Sequence, residues 1–303
     1  MIQLPEAYTH IRTARLALKS AGITCKSKAA FEMGANGPDP FFAYKPLTRE
    51  TEPPMKLLGA RLHREHCGLF LYTLVVNAKT PAQQSYAMGF LSHNALDALA
   101  HPYIAFLTSK GECYHRAHGH GYYEVALDSK LYKKDYGTLS VNAKDTAPCL
   151  ITAELAEVCE LLQLCIAEVF ALDISLEGIA DSFHWFYGVH RFFACKFGVR
   201  KAIVAVIETL AFHKGLATSH MTPAHMEKNM PKAWTNPYTG TVLESTITEL
   251  LQPAAEISEA FFKSADAFWQ GRITDTQLKR IIGDHSYDTG LASETESSEA
   301  QRA

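Results

Sequence analysis

The stretch GFLSHNALDALAHPYI, residues 89–104, decides how this chain folds and where its chemistry lies. It places His93, Asp97 and His101 four residues apart in an otherwise apolar segment. Residues four apart lie on the same face of an α-helix, so these three side chains share one side. A single histidine on such a face is usually a hydrogen-bonded core residue. Burying an unpaired carboxylate, however, is costly. The segment therefore predicts that Asp97 has a partner, one that His93 and His101 can also contact.

Helical periodicity recurs along the chain and alternating strand patterns are scarce, which predicts an all-α, multi-helix bundle. We expect one domain over residues 1–285, with a metal site within residues 1–130 and a helical extension over residues 150–285. The tail, residues 286–303, is small, polar and acidic, which predicts disorder. A single long helix is predicted from about Pro54 to Ala78. The next begins at Thr80–Pro81 and is expected to end at His101, because a proline disfavours helical dihedral angles in the residue before it.

Composition excludes several classes of protein. The chain has 303 residues, of which 47% are hydrophobic, and a net charge of −3 without a basic stripe, so we expect no long nucleic acid as partner. The first residues, MIQLPEAYTHIR, contain no apolar signal segment, and the longest uncharged apolar run, GLFLYTLVVNA, is too short to span a bilayer. The seven cysteines form no CxxC pair, which predicts reduced thiols, a cytoplasmic protein and no zinc–thiolate site.

Metal-ligand side chains are concentrated in the first 124 residues: His10, Asp39, His63, His93, Asp97, His101, His120 and Glu124. His93/Asp97 and His120/Glu124 both have the spacing of four that lets two side chains of one helix bind one ion. His115 and His118 are alternatives to His120, but only His120 has this spacing to a glutamate. Imidazoles and carboxylates with almost no cysteine suit Zn²⁺ in an open, catalytic site.

These motifs resemble those of the zinc-dependent phospholipase C family, whose wider superfamily includes the S1/P1-type nucleases. LSHNALD, with His93 and Asp97, resembles the family's first helix motif, and HGYYEVALD, with His120, Glu124 and Asp128, resembles the next. Further matches are Thr9-His10, Asp39 in GPDPFF, and His63 in ARLHREH, where His66 is the alternative. The likeness is strongest over residues 9–128. It implies an all-α fold around two or three zinc ions that hydrolyses phosphodiester bonds.

The resemblance also implies how the ligands are divided: one zinc on Asp39, His63, His93 and Asp97, a second on His101, His120 and Glu124, and a third on His10 with Asp97 bridging. In the secreted phospholipases the mature N-terminal amine and carbonyl bind one zinc. Here Met1 lies nine residues before His10, so the remaining ligands of the third ion stay open. Asp39 is the predicted general base. Asp128 is predicted to orient His120 or to cap a helix.

The predicted function is therefore zinc-dependent hydrolysis of a small phosphodiester or phospholipid by metal-activated water. The alternatives are a nuclease or nucleotidase of the S1/P1 type and a non-catalytic helical protein that binds metal. Asp39 favours an enzyme, because a purely structural zinc site needs no additional loop carboxylate. Neither the head group of the substrate nor the oligomeric state follows from the sequence.

Overall fold

The computed structural model describes residues 7–46, 48, 55–211 and 213–294. Over these residues it contains twelve α-helices and one short antiparallel hairpin, which confirms the all-α prediction. The first six helices are α1 Ala7–Ala21, α2 Lys28–Gly34, α3 Asp39–Phe42, α4 Met55–Arg64, α5 Cys67–Asn77 and α6 Pro81–Thr108. The others are α7 Gly119–Tyr136, α8 Thr152–Phe170, α9 Leu176–Phe193, α10 Val199–Leu210, α11 Ile247–Trp269 and α12 Asp275–Ile282.

The hairpin joins β1 (Trp234–Thr235) to β2 (Val242–Leu243), with Trp234 paired to Leu243. Two 3-10 turns, Ala143–Asp145 and Thr218–His220, lie in the connections between helices. In the described part of the chain no helix is both long and apolar enough to cross a membrane.

Helix α6 lies at the centre of the molecule. It begins with a capping box, in which the Thr80 hydroxyl accepts from the Gln83 backbone N–H and the Gln83 side chain accepts from the Thr80 N–H. Most of its residues are buried, and α1, α2, α5, α7, α8 and α11 pack around it. A helix enclosed on all sides has no solvated face on which to place polar groups. The polar residues of residues 89–104 must therefore find partners inside the protein.

The prediction that this helix ends at His101 is wrong, because α6 continues through Pro102 to Thr108. Proline has no backbone N–H, so the Ala98 carbonyl loses its usual helical donor. Gly290 lies directly against this carbonyl, where a side-chain carbon on residue 290 would be only 2.4 Å from the oxygen. The C-terminal segment thus packs closely against α6 at the turn where the proline removes a hydrogen bond. As a consequence, His101 keeps the helical position that puts it on the same face as Asp97.

The prediction of one long helix up to Ala78 is also wrong, because the chain breaks between α4 and α5. His66 is in the left-handed conformation, with φ of 51°. The C-terminal segment pairs with the backbone at this break: Glu294 N–H donates to the Arg64 carbonyl at 2.6 Å, and His66 N–H donates to the Glu294 carbonyl at 3.1 Å. The break therefore exposes backbone groups that a distant part of the chain uses.

Residues 284–294 are packed against α4 and α6, although the sequence predicts disorder from Ser286 onward. Tyr287 is fully buried, and its N–H donates to the His63 carbonyl at 2.9 Å. The Asn94 amide donates to the His285 carbonyl at 2.9 Å. The Ser286 hydroxyl also donates to the His63 carbonyl at 3.2 Å, so the segment hydrogen-bonds to the helices it packs against. Residues 295–303 of the predicted tail lie outside the described residues.

Candidate metal centre

The three polar side chains of α6 point to one buried centre. The His93 Nε2 lies 2.9 Å from Asp97 Oδ2, and the His101 Nε2 lies 3.5 Å from Asp97 Oδ1. The Asp97 side chain is 2% exposed, so water does not solvate its charge. A core helix can carry these polar groups because they face one another and not the surrounding apolar side chains.

Two further helices bring histidines to the same carboxylate. His10, on α1, places its Nε2 3.2 Å from Asp97 Oδ1, and His63, on α4, places its Nε2 3.7 Å from Asp97 Oδ2. Asp39, the first residue of α3, lies near two of the imidazoles. Its Oδ1 is 3.5 Å from the His63 Nε2 and 3.7 Å from the His93 Nε2. Asp97 is thus within 3.7 Å of four imidazole nitrogens from three helices.

Helix α7 supplies the rest of the site. The His120 Nε2 lies 2.7 Å from Glu124 Oε1, across one turn of the helix. The same glutamate oxygen is 3.7 Å from the His101 Nε2, so His101 connects this pair to Asp97. The His120 side chain is 31% exposed, whereas that of His101 is only 8% exposed. The centre therefore opens towards solvent on the His120 side.

All eight side chains predicted as metal ligands meet here in three groups, and within each group the ligand atoms lie within 4.8 Å of one another. The groups are His10/His93/Asp97, Asp39/His63/His93 and His101/His120/Glu124. None of these groups contains the predicted alternatives His66, His115 or His118. His66 caps α5 and its ring lies against Phe170, while the His115 Nδ1 bonds to the Thr108 carbonyl.

Backbone carbonyls orient two of the rings. The His63 Nδ1 lies 2.7 Å from the Gly59 carbonyl and the His93 Nδ1 lies 3.0 Å from the Ala35 carbonyl. A carbonyl only accepts hydrogen bonds, so each Nδ1 carries the proton, and a neutral ring then turns the lone pair of Nε2 to the centre. Gly37, at φ of +52°, fits closely against His93, since a side-chain carbon there would lie 2.4 Å from the ring. The loop before Asp39 therefore requires glycine at this position.

The centre keeps the carboxylates of Asp97 and Glu124 ionised. Burial alone would raise the pKa of Asp97, but the charges of His101, His93 and His10 outweigh burial and hold that pKa well below its ordinary value. Burial would also raise the pKa of Glu124, but His120 and His101 lower it to about 2. Despite its burial, His93 has its pKa raised to about 9 by Asp97 and Asp39. The pKa of His101 is likewise raised by Asp97, so without a metal His93 and His101 would carry the positive charge that balances these carboxylates.

The donor atoms fit a metal better than they fit protons alone. Both Asp39 carboxylate oxygens, Asp97 Oδ1, Glu124 Oε2 and His93 Nε2 are buried and make no hydrogen bond. Unsatisfied buried polar atoms are uncommon and costly, and each of these lies in or beside one of the three groups. Imidazole nitrogens and carboxylate oxygens are the ligand set of open zinc sites. The residues present therefore fit zinc.

Two residues of the centre's surroundings escaped prediction from the sequence. Asp288 Oδ1 lies 3.6 Å from the Nδ1 of His101, the nitrogen that faces away from the centre, and Asp288 Oδ2 accepts from the Arg64 Nε at 2.5 Å. The Tyr287 ring lies 5.2 Å from the His63 ring, centre to centre. No spacing motif marks either residue, because both reach the centre from the far end of the chain. A polar segment after the last helix was the only signal.

A pocket of about 270 Å³ adjoins the open side of the centre. It is lined by His101, His120, Asp288, Arg64 and Tyr238, together with the α6 residues Ala105 and Thr108 and with Ser109. Its walls thus combine two imidazoles of the centre with an arginine and a tyrosine. A negatively charged group in this pocket would meet the arginine and the exposed edge of the centre.

Asp128 lies at the N-terminus of α1 and holds the helix that carries His10. Its carboxylate accepts from the Tyr8 N–H at 3.0 Å, the Thr9 N–H at 2.7 Å and the Thr9 hydroxyl at 2.7 Å. These are first-turn donors that a helix leaves unpaired, so the contacts fit the predicted role of helix cap. Burial raises the pKa of Asp128 to about 6, although these hydrogen bonds oppose the shift.

The fold and the centre together define a class: a helical protein in which buried imidazoles and carboxylates form groups that could hold metal ions beside an open pocket. The sequence model described as zinc dependent phospholipase C matches residues 9–170, more than half of the chain. The chain therefore belongs to the zinc-dependent phospholipase C family, as its motifs predict. The match includes all eight converging residues. No curated protein and no solved structure matches the chain.

Proposed function

We propose that this protein is a zinc-dependent hydrolase of phosphodiester bonds, of phospholipase C type, acting on a phospholipid or a related small phosphodiester. The observation that carries the proposal is the sharing of Asp97 by His10, His63, His93 and His101 beside an open pocket. A purely structural zinc site is closed by its ligands, whereas this centre has an exposed edge at His120. Family membership supports the same reaction class.

The proposed ligands are those expected from the sequence, with Asp39, His63, His93 and Asp97 on one ion, His101, His120 and Glu124 on a second, and His10 with Asp97 on a third. When bound, the zinc ions would neutralise the phosphodiester oxygens and lower the pKa of bound water. The single-domain organisation and the cytoplasmic location stay predictions from the sequence.

Asp39 is the proposed general base. Its two oxygens are buried and make no hydrogen bond, although Oδ1 lies within 3.7 Å of two imidazoles. A carboxylate with unused lone pairs beside the metal positions can take the proton of an attacking water. Its place at the start of the short helix α3 holds it against the rings of α4 and α6.

Arg64 is the proposed contact for the phosphate. Its guanidinium lies in the pocket wall, paired with Asp288, and its side chain is 58% exposed. Arginine binds phosphate oxygens through two N–H groups, and only one nitrogen contact to Asp288 is present here. An incoming phosphodiester can therefore reach the arginine and the centre at the same time.

Zinc analysis followed by hydrolysis of p-nitrophenylphosphorylcholine and of bis-p-nitrophenyl phosphate tests this function. We expect two or three zinc ions per chain and release of p-nitrophenol, with preference between the two compounds separating a phospholipase C from a nuclease-type enzyme. Asp39→Asn should reduce kcat by roughly 100-fold or more, as expected for loss of a general base. Zinc content, measured on the same variant, shows whether a lost metal causes the reduction.

Asp173→Asn, an identical change at an exposed loop position, is the matched control and should leave both zinc content and kcat unchanged. Fewer than one tightly bound zinc per chain would overturn the metal centre. Full zinc content without hydrolysis of any phosphodiester would leave a non-catalytic metal protein. Unchanged turnover in Asp39→Asn would remove the role proposed for that residue.

A further inference from the structure

Helix α10 is oriented with its apolar face outward. Five aliphatic side chains recur along it at intervals of one to four residues and form one stripe: Val199, Ile203, Val206, Ile207 and Leu210. Their exposed fractions are 62%, 57%, 60%, 58% and 74%, and Phe197, just before the helix, is 81% exposed. A helix on the surface of a globular domain normally buries such a stripe. Among the described residues nothing covers it.

The polar side of α10 is the side that holds it to the protein. The Lys201 ammonium donates to the carbonyls of Met221 and Pro223 at 2.6 and 2.7 Å. The Glu208 carboxylate is buried and accepts from the Gly215 N–H at 3.0 Å and from the Thr218 N–H at 3.1 Å. These contacts use the charged residues that would otherwise face water. The outward apolar stripe is therefore built into the packing and does not depend on a loose helix.

The surroundings of the stripe are positively charged. Apart from Lys201, which bonds inward, residues 191–214 contain four lysines and arginines and a single carboxylate, the buried Glu208, whereas the whole chain has a net charge of −3. The Arg200 guanidinium donates to the backbone carbonyls of Arg191 and Phe192, so its charge is not neutralised by an acid. Lys196 is exposed beside the Phe197 ring, 5.4 Å from its centre. This excess of positive charge complements an anionic surface.

The segment that follows α10 packs beside the metal centre. The His220 ring lies against Gly121, where a side-chain carbon would be 2.2 Å from the ring. Gly215 lies near His118, which caps the N-terminus of α7. His120 and Glu124 are on that same helix. A surface bound by α10 would thus be linked through a short, packed segment to the open side of the centre.

We infer that α10 is an interfacial helix that docks the protein onto an anionic phospholipid membrane, with Val199, Ile203, Val206, Ile207 and Leu210 among the acyl chains and the flanking lysines and arginines at the head groups. An amphipathic helix with an exposed apolar face and basic flanks is the pattern that binds such interfaces. The inference that the protein docks on a membrane depends only on the features of α10. The further inference that docking delivers lipid to the centre rests on the proposed function.

Co-sedimentation with vesicles tests the docking without turnover. The zinc-loaded protein should bind vesicles of phosphatidylcholine containing phosphatidylglycerol more tightly than vesicles of phosphatidylcholine alone, and added salt should weaken the difference. Ile203→Asp should weaken binding to the anionic vesicles by about tenfold or more, because one aliphatic side chain no longer enters the membrane. Leu164→Asp is the matched control, since Leu164 is a 48% exposed aliphatic residue of α8.

The basic flank has its own pair of variants. Lys196→Glu should weaken binding to the anionic vesicles and leave binding to phosphatidylcholine alone nearly unchanged, whereas Lys130→Glu, at an exposed position on α7, should change neither. Hydrolysis of the soluble p-nitrophenyl compounds should be unaffected in Ile203→Asp, because its side chain faces away from the protein. Loss of hydrolysis confined to lipid vesicles would tie the docking to the reaction.

Absence of vesicle binding by the unmodified protein would overturn the inference. So would equal losses in Ile203→Asp and Leu164→Asp. A dimer in solution that Ile203→Asp converts to a monomer, without vesicle binding, would instead assign the stripe to a second copy of the chain. If the protein binds anionic vesicles through α10 but hydrolyses no phosphodiester, the docking stands and the proposed function fails.

Discussion

Asp97→Asn examines the centre at the residue that its histidines share. The amide has nearly the volume of the carboxylate, so packing of the 2% exposed side chain should change little. It removes the negative charge that lies within 3.7 Å of four imidazole nitrogens and turns an NH₂ group towards some of them. A metal position beside residue 97 then loses a charged ligand and gains a donor that cannot bind it.

The size of the effect follows from this geometry. Removing a residue that merely orients a ligand typically costs 10- to 100-fold in metal affinity, so removing a shared ligand should cost about 100-fold or more for each ion that it contacts. A 100-fold loss corresponds to about 2.7 kcal/mol per ion. Because zinc bound only to the folded protein stabilises it, the same loss should lower the zinc-dependent part of the free energy of unfolding.

Competition with a coloured zinc chelator gives the affinity, and urea unfolding with and without added zinc gives the stabilisation. Asp173→Asn, at an exposed position, is the matched control for the loss of charge and should leave both unchanged. If Asp97→Asn keeps the zinc content and affinity of the unmodified protein, Asp97 is not a shared ligand. The reasoning from its position would then be refuted.

Two more predictions concern protons and the neighbours of the centre. In the zinc-free protein Asp97 and Asp39 raise the pKa of His93 to about 9, against the effect of burial. Protonated His93 therefore stabilises the fold below about pH 6.5, and this contribution, about 3 kcal/mol, is lost as the pH rises through 9. Urea unfolding in the presence of chelator measures it, and an unchanged free energy of unfolding over this range would contradict the prediction. Asp288→Asn should weaken zinc binding about 10- to 100-fold, because it removes the carboxylate behind His101. Arg64→Gln breaks only the ion pair between Arg64 and Asp288 and should leave zinc binding unchanged. Equal zinc affinities of the two variants in a chelator titration would contradict this prediction.

Several features of the centre follow from local sequence. A spacing of four places His93 beside Asp97 and His120 beside Glu124 on any α-helix, whatever surrounds it. The all-α class follows in the same way from the periodicity of apolar residues. His10, Asp39 and His63 have no such local partner, and only their resemblance to family motifs indicated them. The orientation of α10 could not be read from its pattern, because an apolar stripe looks the same whether it faces the core or solvent.

The sequence by itself determined the all-α class and which pairs of candidate ligands share a helix, because these depend on residues within one or two turns. Only the tertiary structure decided that α1 and α4 bring His10 and His63 to Asp97, and that residues 284–294 place Tyr287 and Asp288 behind the histidine rings. It also decided that α6 continues through Pro102, against the local preference. These outcomes depend on contacts between residues far apart in the chain, whose packing energies outweigh local propensities and leave no trace in local spacing.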